Sequence, residues 1–263
     1  MCPTLFHIYG PFSVNFYGLF IAIGIIIALI FAKRDPRAAQ VVTEDQAVAL
    51  LTGSIIAGVF GARILYFIVE PANMAAWYDL FAFWQGGGTE LGSIIAVALF
   101  CGIYVRKKQI KILPLLDIAG NYAPLVQGFA RIGCFCAGCC YGSATTVPWA
   151  ILYTHPESIA PLCVRLHPTQ LYTALLFFMF FFVIKYTKPY FTAPGQQFCV
   201  YLMGASMIRF FTDFLRGDQV FSQTSAGQSS TILSLFTLYQ WISLCLFISA
   251  LISLVITLHR KKT

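Results

Sequence analysis

Five arginines stand apart from the other basic residues of this chain: Arg63, Arg131, Arg165, Arg209 and Arg216. Four of the five sit in or at the edge of apolar stretches, where a cationic side chain costs roughly 2.5–3.5 kcal/mol at a helix centre and needs a compensating partner. A planar fork of donors suits phosphate or carboxylate. The chemistry to expect is recognition of an anionic group in a greasy setting, as in a membrane enzyme that handles an anionic lipid.

Three segments carry this expectation. In MIRFFTDFLRGD, Arg209, Asp213 and Arg216 stand at offsets of four and three, which share one face of a helix. Arg209 and Asp213 would neutralise each other there, and Arg216 would add a net positive charge. A purely structural ion pair is the alternative. In GFARIGCFCAGCCYG, Arg131 is the leading phosphate contact, while Gly133 and Gly142 let backbone approach backbone or ligand closely. Those glycines also suit helix packing. In HPTQLY, Pro168 is placed to start a helix, which sets His167 and Gln170 near a membrane surface. His167 has a catalytic and a structural reading.

The thiols of Cys134, Cys136, Cys139 and Cys140 invite a metal. However, C-x-C-x-x-C-C is not a standard structural zinc pattern, and no second ligand pair lies nearby. Small buried thiols packing between helices are the expectation, ahead of a disulfide, and no metal or other cofactor is assigned.

The elements that must position these residues read as membrane helices. The chain is 59% hydrophobic and only 10% charged, against about 25% charged in a soluble domain. Its mean hydropathy is +0.77. Seven apolar stretches approach the roughly 20 residues needed to cross a bilayer: 13–31, 47–69, 91–105, 113–132, 170–184, 198–214 and 232–258. The basic residues outside the arginine set form four clusters, Lys33 to Arg37, Arg106 to Lys111, Lys185 with Lys188, and Arg260 to Lys262. The positive-inside rule puts all four on the cytoplasmic side if the amino terminus lies outside and the carboxyl terminus inside.

The formal net charge of +7 is therefore assigned to membrane boundaries and not to nucleic acid. No cleavable signal peptide, P-loop or dinucleotide fingerprint is expected. The fold class expected is an all-α polytopic membrane protein of about seven spans, forming one domain over residues 1–263, with an outer-facing polar segment between the fourth and fifth spans.

Taken in order, FYGLFIAIG, GVFGARILYF, WQGGG, GFARIGCFCAGCCYG, HPTQLY, IRFFTDFLRGD and YQWIS resemble the bacterial prolipoprotein diacylglyceryl transferase family through most of the chain. The resemblance implies a multi-pass enzyme of the bacterial cytoplasmic (inner) membrane. Its substrates would be phosphatidylglycerol and the signal peptide of a prolipoprotein, with a diacylglyceryl group moved to a lipobox cysteine and glycerol phosphate released. Arg63, Arg131 and Arg209 would hold the phosphate, Asp213 would orient Arg209, and Tyr17 and Gln170 would position the head group.

The pattern is departed from at three places. Leu91 stands where the family usually has a histidine, so Glu90 or His167 replaces that base or the reaction needs none. Asp213 stands for the usual glutamate. Cys134 and Cys139 stand where better-known members have asparagine and an acid. Two further readings stay open: the same lipid pocket with another acceptor, and a non-enzymatic carrier of anionic lipid.

Overall fold

A computed structural model of the chain describes residues 4–9, 12–71, 80, 88–218 and 236–260. Strands β1 (Thr4–Tyr9) and β2 (Phe12–Asn15) pair and lead into helix α1 (Phe16–Lys33). Helices α2 (Pro36–Val41), α3 (Glu44–Val69), α4 (Glu90–Lys107) and α5 (Ile112–Ala137) follow. A second strand pair, β3 (Ile151–Leu152) with β4 (Arg165–Leu166), precedes α6 (Thr169–Thr187), α7 (Gln196–Asp213) and α8 (Leu238–Arg260).

Each expected apolar stretch falls on a helix of at least 18 residues, α1 and α3 to α8. The start of the last stretch, 232–235, lies outside the described residues. Among the described helices, α1, α3, α6 and α8 are long and apolar enough to cross a membrane by length and composition. The other three are more polar: Arg106 and Lys107 end α4, Asp117, Asn121, Gln127 and Arg131 lie in α5, and Gln196, Gln197, Arg209 and Asp213 lie in α7. Large apolar side chains face outward, among them Ile26 on α1, Leu175 and Phe182 on α6, and Ile252 on α8. Exposed apolar surface on helix after helix belongs in lipid. The chain is a predominantly helical, polytopic membrane protein.

Its helices group into two compact units. One holds α1 and the chain from Leu116 onward; the other holds Asp35–Leu115. In the second unit, a capping box starts α3, with the Thr43 hydroxyl accepting from Gln46 N–H and the Gln46 side chain accepting from Thr43 N–H. Helices α3 and α4 then meet through Gly61 and Gly92. A Cβ on Gly61 would lie 2.5 Å from the Gly92 carbonyl oxygen, and one on Gly92 would lie 2.3 Å from that of Gly61. The contact exists because both positions lack a side chain.

In the first unit, α5 makes three such approaches along its length. Gly120 faces Phe198 and Tyr201 of α7, Gly128 faces Phe178 of α6, and Gly133 faces the Tyr17 backbone of α1. The Asp117 carboxylate fixes the start of α7, accepting from Gly195 N–H at 2.7 Å and Phe198 N–H at 2.9 Å. Two of the otherwise unpaired amides at that helix end are so satisfied by a charge of favourable sign.

The segment between α5 and α6 is ordered around a small core of Tyr153, Ala160 and Leu166. Tyr153 is completely buried, and its hydroxyl donates to Phe135 O at 3.2 Å. Beside β3 and β4, isolated bridges join Ala144 to Leu166 and Tyr153 to Leu162. In sequence this small β-rich layer connects α5, which carries Arg131, to α6, which carries Gln170.

Candidate functional site

Helix α7 carries the first pair. Arg209 Nη2 lies 3.6 Å from Asp213 Oδ1, one turn away, and the Asp213 side chain is fully buried. The second carboxylate oxygen of Asp213 accepts from the Thr237 hydroxyl at 2.6 Å. Thr237 also caps α8, accepting from Gln240 N–H at 3.2 Å. The Arg209 guanidinium sits over the Tyr239 ring, 5.0 Å from its centroid.

Arg216 corrects the sequence expectation. It does not share the α7 face, because the helix ends at Asp213, after which the backbone turns away to pair with residues 141–143, beyond the end of α5. Nor does it stand as a bare extra charge. Its Nε donates to Asp218 Oδ1 at 2.9 Å, and Nη2 donates to Oδ2, a side-on fork of the kind arginine forms best.

Three motif segments are joined here by main-chain hydrogen bonds. Ser143 N–H donates to Leu215 O at 2.9 Å and Gly217 N–H to Tyr141 O at 3.0 Å. On the other side, Gly142 N–H donates to His167 O at 3.1 Å and His167 N–H to Ser143 O at 3.1 Å. Gly142 is required by this crossing, since a Cβ there would lie 2.5 Å from the His167 carbonyl oxygen and 2.6 Å from the His167 Cβ.

Arg131, half-buried on α5, makes no hydrogen bond or ion pair among the described residues. It is nevertheless close enough to Arg209 that their charges interact, and Arg216 acts on Arg209 in the same way. Among the described residues, three guanidinium groups thus lie in electrostatic range of one another with two carboxylates, Asp213 and Asp218, leaving a net positive charge. Such a cluster, partly withdrawn from water, favours negative charge nearby.

Gln170, in the first turn of α6, is almost wholly buried. Its Nε2 donates to Cys139 O at 2.8 Å and to the Tyr153 hydroxyl at 3.2 Å. Its Oε1 has no partner among the described residues and remains open to a donor. Burial pushes the Tyr153 hydroxyl well above the ordinary phenol range, against the pull of the Gln170 hydrogen bond, so it stays a neutral donor. Tyr141 is raised by burial and then by Asp218.

Gly138, with φ of 78°, closes α5, and Cys140, with φ of 56°, folds the chain back. The sulfurs of Cys134, Cys139 and Cys140 come within 4.8 Å of one another. All three, and Cys136, are free thiols.

The remaining expected residues sit as follows. Tyr17 on α1 is packed by its backbone against Gly133, and it is in electrostatic range of Arg131. This gives Gly133 a helix-packing place. The His167 ring lies beside Tyr172, with Nδ1 3.5 Å from the hydroxyl, which also accepts from Trp149 Nε1 at 2.6 Å. Arg63 belongs to the other unit, where it is buried and stacked on Phe67 at 5.3 Å.

Sequence reasoning missed Asp218 and Thr237. Asp218 carried a visible signal, an acid two residues after an arginine, whereas Thr237 lies 24 positions from the carboxylate it serves.

The sequence profile of the prolipoprotein diacylglyceryl transferase family matches residues 3–256. The chain belongs to this family. Relatives include a phosphatidylglycerol–prolipoprotein diacylglyceryl transferase of Clostridium tetani, 34% identical over 90% of this chain and 94% of its own length. One from Clostridium perfringens, bearing the same name with the suffix 2, is 34% identical over 89% and 91%. Another, from Fervidobacterium nodosum, is 32% identical over 88% and 81%.

Leu91, the position where the resemblance leads one to expect a histidine, lies in the first turn of α4 and is 62% exposed. The neighbouring WQGGG segment, apart from Gly88, and the Glu90 side chain lie outside the described residues.

Proposed function

We propose that the chain transfers the diacylglyceryl group of phosphatidylglycerol to the thiol of a lipobox cysteine in a prolipoprotein and releases glycerol phosphate. Family membership supports this chemistry. The observation that carries it at the level of residues is the gathering of Arg131, Arg209 and Arg216 with one positive charge left over.

In this reading the phospholipid phosphate binds Arg131, the guanidinium without a carboxylate partner. Arg209, held by Asp213 and Thr237, and Arg216, held by Asp218, flank it. The acceptor sulfur attacks the glyceryl carbon, a carbon–sulfur bond forms, and the carbon–oxygen bond to phosphate breaks with its electron pair passing to the phosphate oxygen. Negative charge therefore grows on the phosphate, where fixed donors are already aimed. Such preorganised stabilisation is usually the largest single contribution to catalysis. Gln170 Oε1 would accept from a head-group hydroxyl, and Tyr17 would border the same space. His167 is the nearest imidazole to the joined motifs and would take the thiol proton or orient the acceptor.

The same reading places the enzyme in the bacterial inner membrane as a single functional domain crossing seven times, with its amino terminus outside and its four basic clusters in the cytoplasm. The segment between α5 and α6 would then face outward, where prolipoprotein signal peptides emerge.

Reconstitution tests it. Purified protein in vesicles of phosphatidylglycerol should convert a lipobox peptide to its thioether and release one glycerol phosphate per peptide. Vesicles of zwitterionic phosphatidylethanolamine, or a peptide with serine for the lipobox cysteine, should yield neither. Absence of both products with phosphatidylglycerol and the cysteine peptide would refute the assignment.

A further inference from the structure

We propose that Cys134, Cys139 and Cys140 form a three-sulfur site for a thiophilic d10 cation, Zn(II), whose fourth position receives the thiol to be alkylated. The second half rests on the transfer reading above; the first stands on geometry alone.

The three sulfurs already lie within 4.8 Å of one another. A zinc–sulfur bond of about 2.3 Å in tetrahedral geometry separates two sulfurs by about 3.8 Å, so closure needs a contraction of about 1 Å at most. The backbone that aims them is fixed from outside the cluster. Gly138 N–H donates to Cys134 O at 2.9 Å, and the left-handed turns at Gly138 and Cys140 reverse the chain. The Gln170 amide holds Cys139 O at 2.8 Å, and the Thr169 hydroxyl holds Cys140 O at 2.9 Å.

Thr169 and Gln170 are both nearly inaccessible to water. A cysteine in the left-handed region is costly and persists only where its surroundings impose it. Buried polar side chains that lock the carbonyls of two successive cysteines are the outer support that metal ligands ordinarily have.

By spacing alone, the objection to zinc is that these four cysteines do not make a standard closed site. The fold resolves that objection. Cys136 is left out of the cluster, and three protein ligands with one open position is the arrangement of reactive zinc sites, not structural ones. Three thiolates around a divalent cation carry one negative charge, which Arg131 and Arg216, both in electrostatic range of Cys140, offset.

The open position also answers the absence of the usual histidine at Leu91. A thiol that binds zinc gives up its proton to water and stays nucleophilic as the metal-bound thiolate. Its sulfur then forms the bond to the glyceryl carbon as the carbon–oxygen bond breaks towards phosphate, and the zinc does not change oxidation state.

The test uses the full-length protein, purified in detergent with reductant and without chelator. Metal analysis should give close to one zinc per chain. Replacement by Co(II) should give thiolate-to-cobalt charge-transfer absorption. Cys139→Ser and Cys140→Ser should each weaken metal retention by about tenfold or more, whereas Cys136→Ser and Cys163→Ser should retain it. Unfolding temperatures equal to that of the metal-stripped unaltered protein will show that the serine variants are folded. A lipobox peptide should shift the cobalt bands, and its cysteine-to-serine analogue should not.

The site would be overturned by reduced protein that holds no zinc and gives no cobalt band, or by a disulfide among the three cysteines in freshly isolated protein. A cobalt spectrum indifferent to the peptide would overturn the open position. Metal-loaded protein that binds the peptide but releases no glycerol phosphate would retire the transfer reading while supporting the metal site.

Discussion

The Arg209–Asp213 pair shows why one residue cannot be read without those behind it. Asp213 has its side chain fully buried and Arg209 has 26% of its side chain exposed, and Thr237 supports the carboxylate with a donor at 2.6 Å. Removing Asp213 leaves a guanidinium unpaired beside two others. Asp213→Ala should therefore cost about 3 kcal/mol, the lower end for a broken buried pair because Arg209 is partly exposed. Thr237→Ala removes one charge-assisted hydrogen bond and the α8 cap together, which is worth about 2–3 kcal/mol. Denaturation in a fixed detergent measures both. A loss below about 0.5 kcal/mol for either variant would show that Asp213 is not held as described.

At the scale of elements, the site depends on helix ends more than on helix faces. Helix α7 starts on the Asp117 carboxylate and stops at Asp213 so that 215–217 can pair with 141–143. Asp117→Ala should cost about 1–2 kcal/mol through loss of that cap, read as a lower unfolding temperature with phosphatidylglycerol affinity little changed. Gly142→Ala should be more severe. Its Cβ would press on His167 backbone, which cannot yield without separating the strands, and an overpacking cost of about 1–3 kcal/mol should appear together with loss of transfer activity.

The helices themselves were legible, because long apolar stretches between basic clusters have few other uses, and the arginines stood out in the sequence because charge in an apolar stretch is costly. The α7 cap was not, since Asp117 reaches amides 78 and 81 positions away. The end of α7 was not legible either. Offsets of four and three place Arg209, Asp213 and Arg216 on one face only if the helix continues, and pairing with Tyr141–Ser143 stops it. The cysteine cluster was hidden for a related reason: the turns at Gly138 and Cys140, pinned by Thr169 and Gln170, choose three thiols out of four in a way that spacing alone does not reveal.

Across the whole molecule, charge does two jobs that the fold keeps apart. Lysine-rich clusters end the helices: Lys33 ends α1, Arg106 and Lys107 end α4, and Lys185 lies in the last turn of α6. Reporter fusions after Lys108, Lys188 and the carboxyl terminus should all report the cytoplasm, while a fusion within 144–150 should report the outside. A cytoplasmic signal from the latter would invert the proposed topology. The arginine cluster instead makes up the proposed phosphate site, and Arg131 is its member without a carboxylate partner among the described residues. The most direct measurement is glycerol phosphate release from phosphatidylglycerol vesicles by Arg131→Ala, compared at equal folded protein with the unaltered chain. Loss of one preorganised donor predicts a rate lower by about 10²–10³-fold; release at the unaltered rate would contradict a phosphate site built on Arg131.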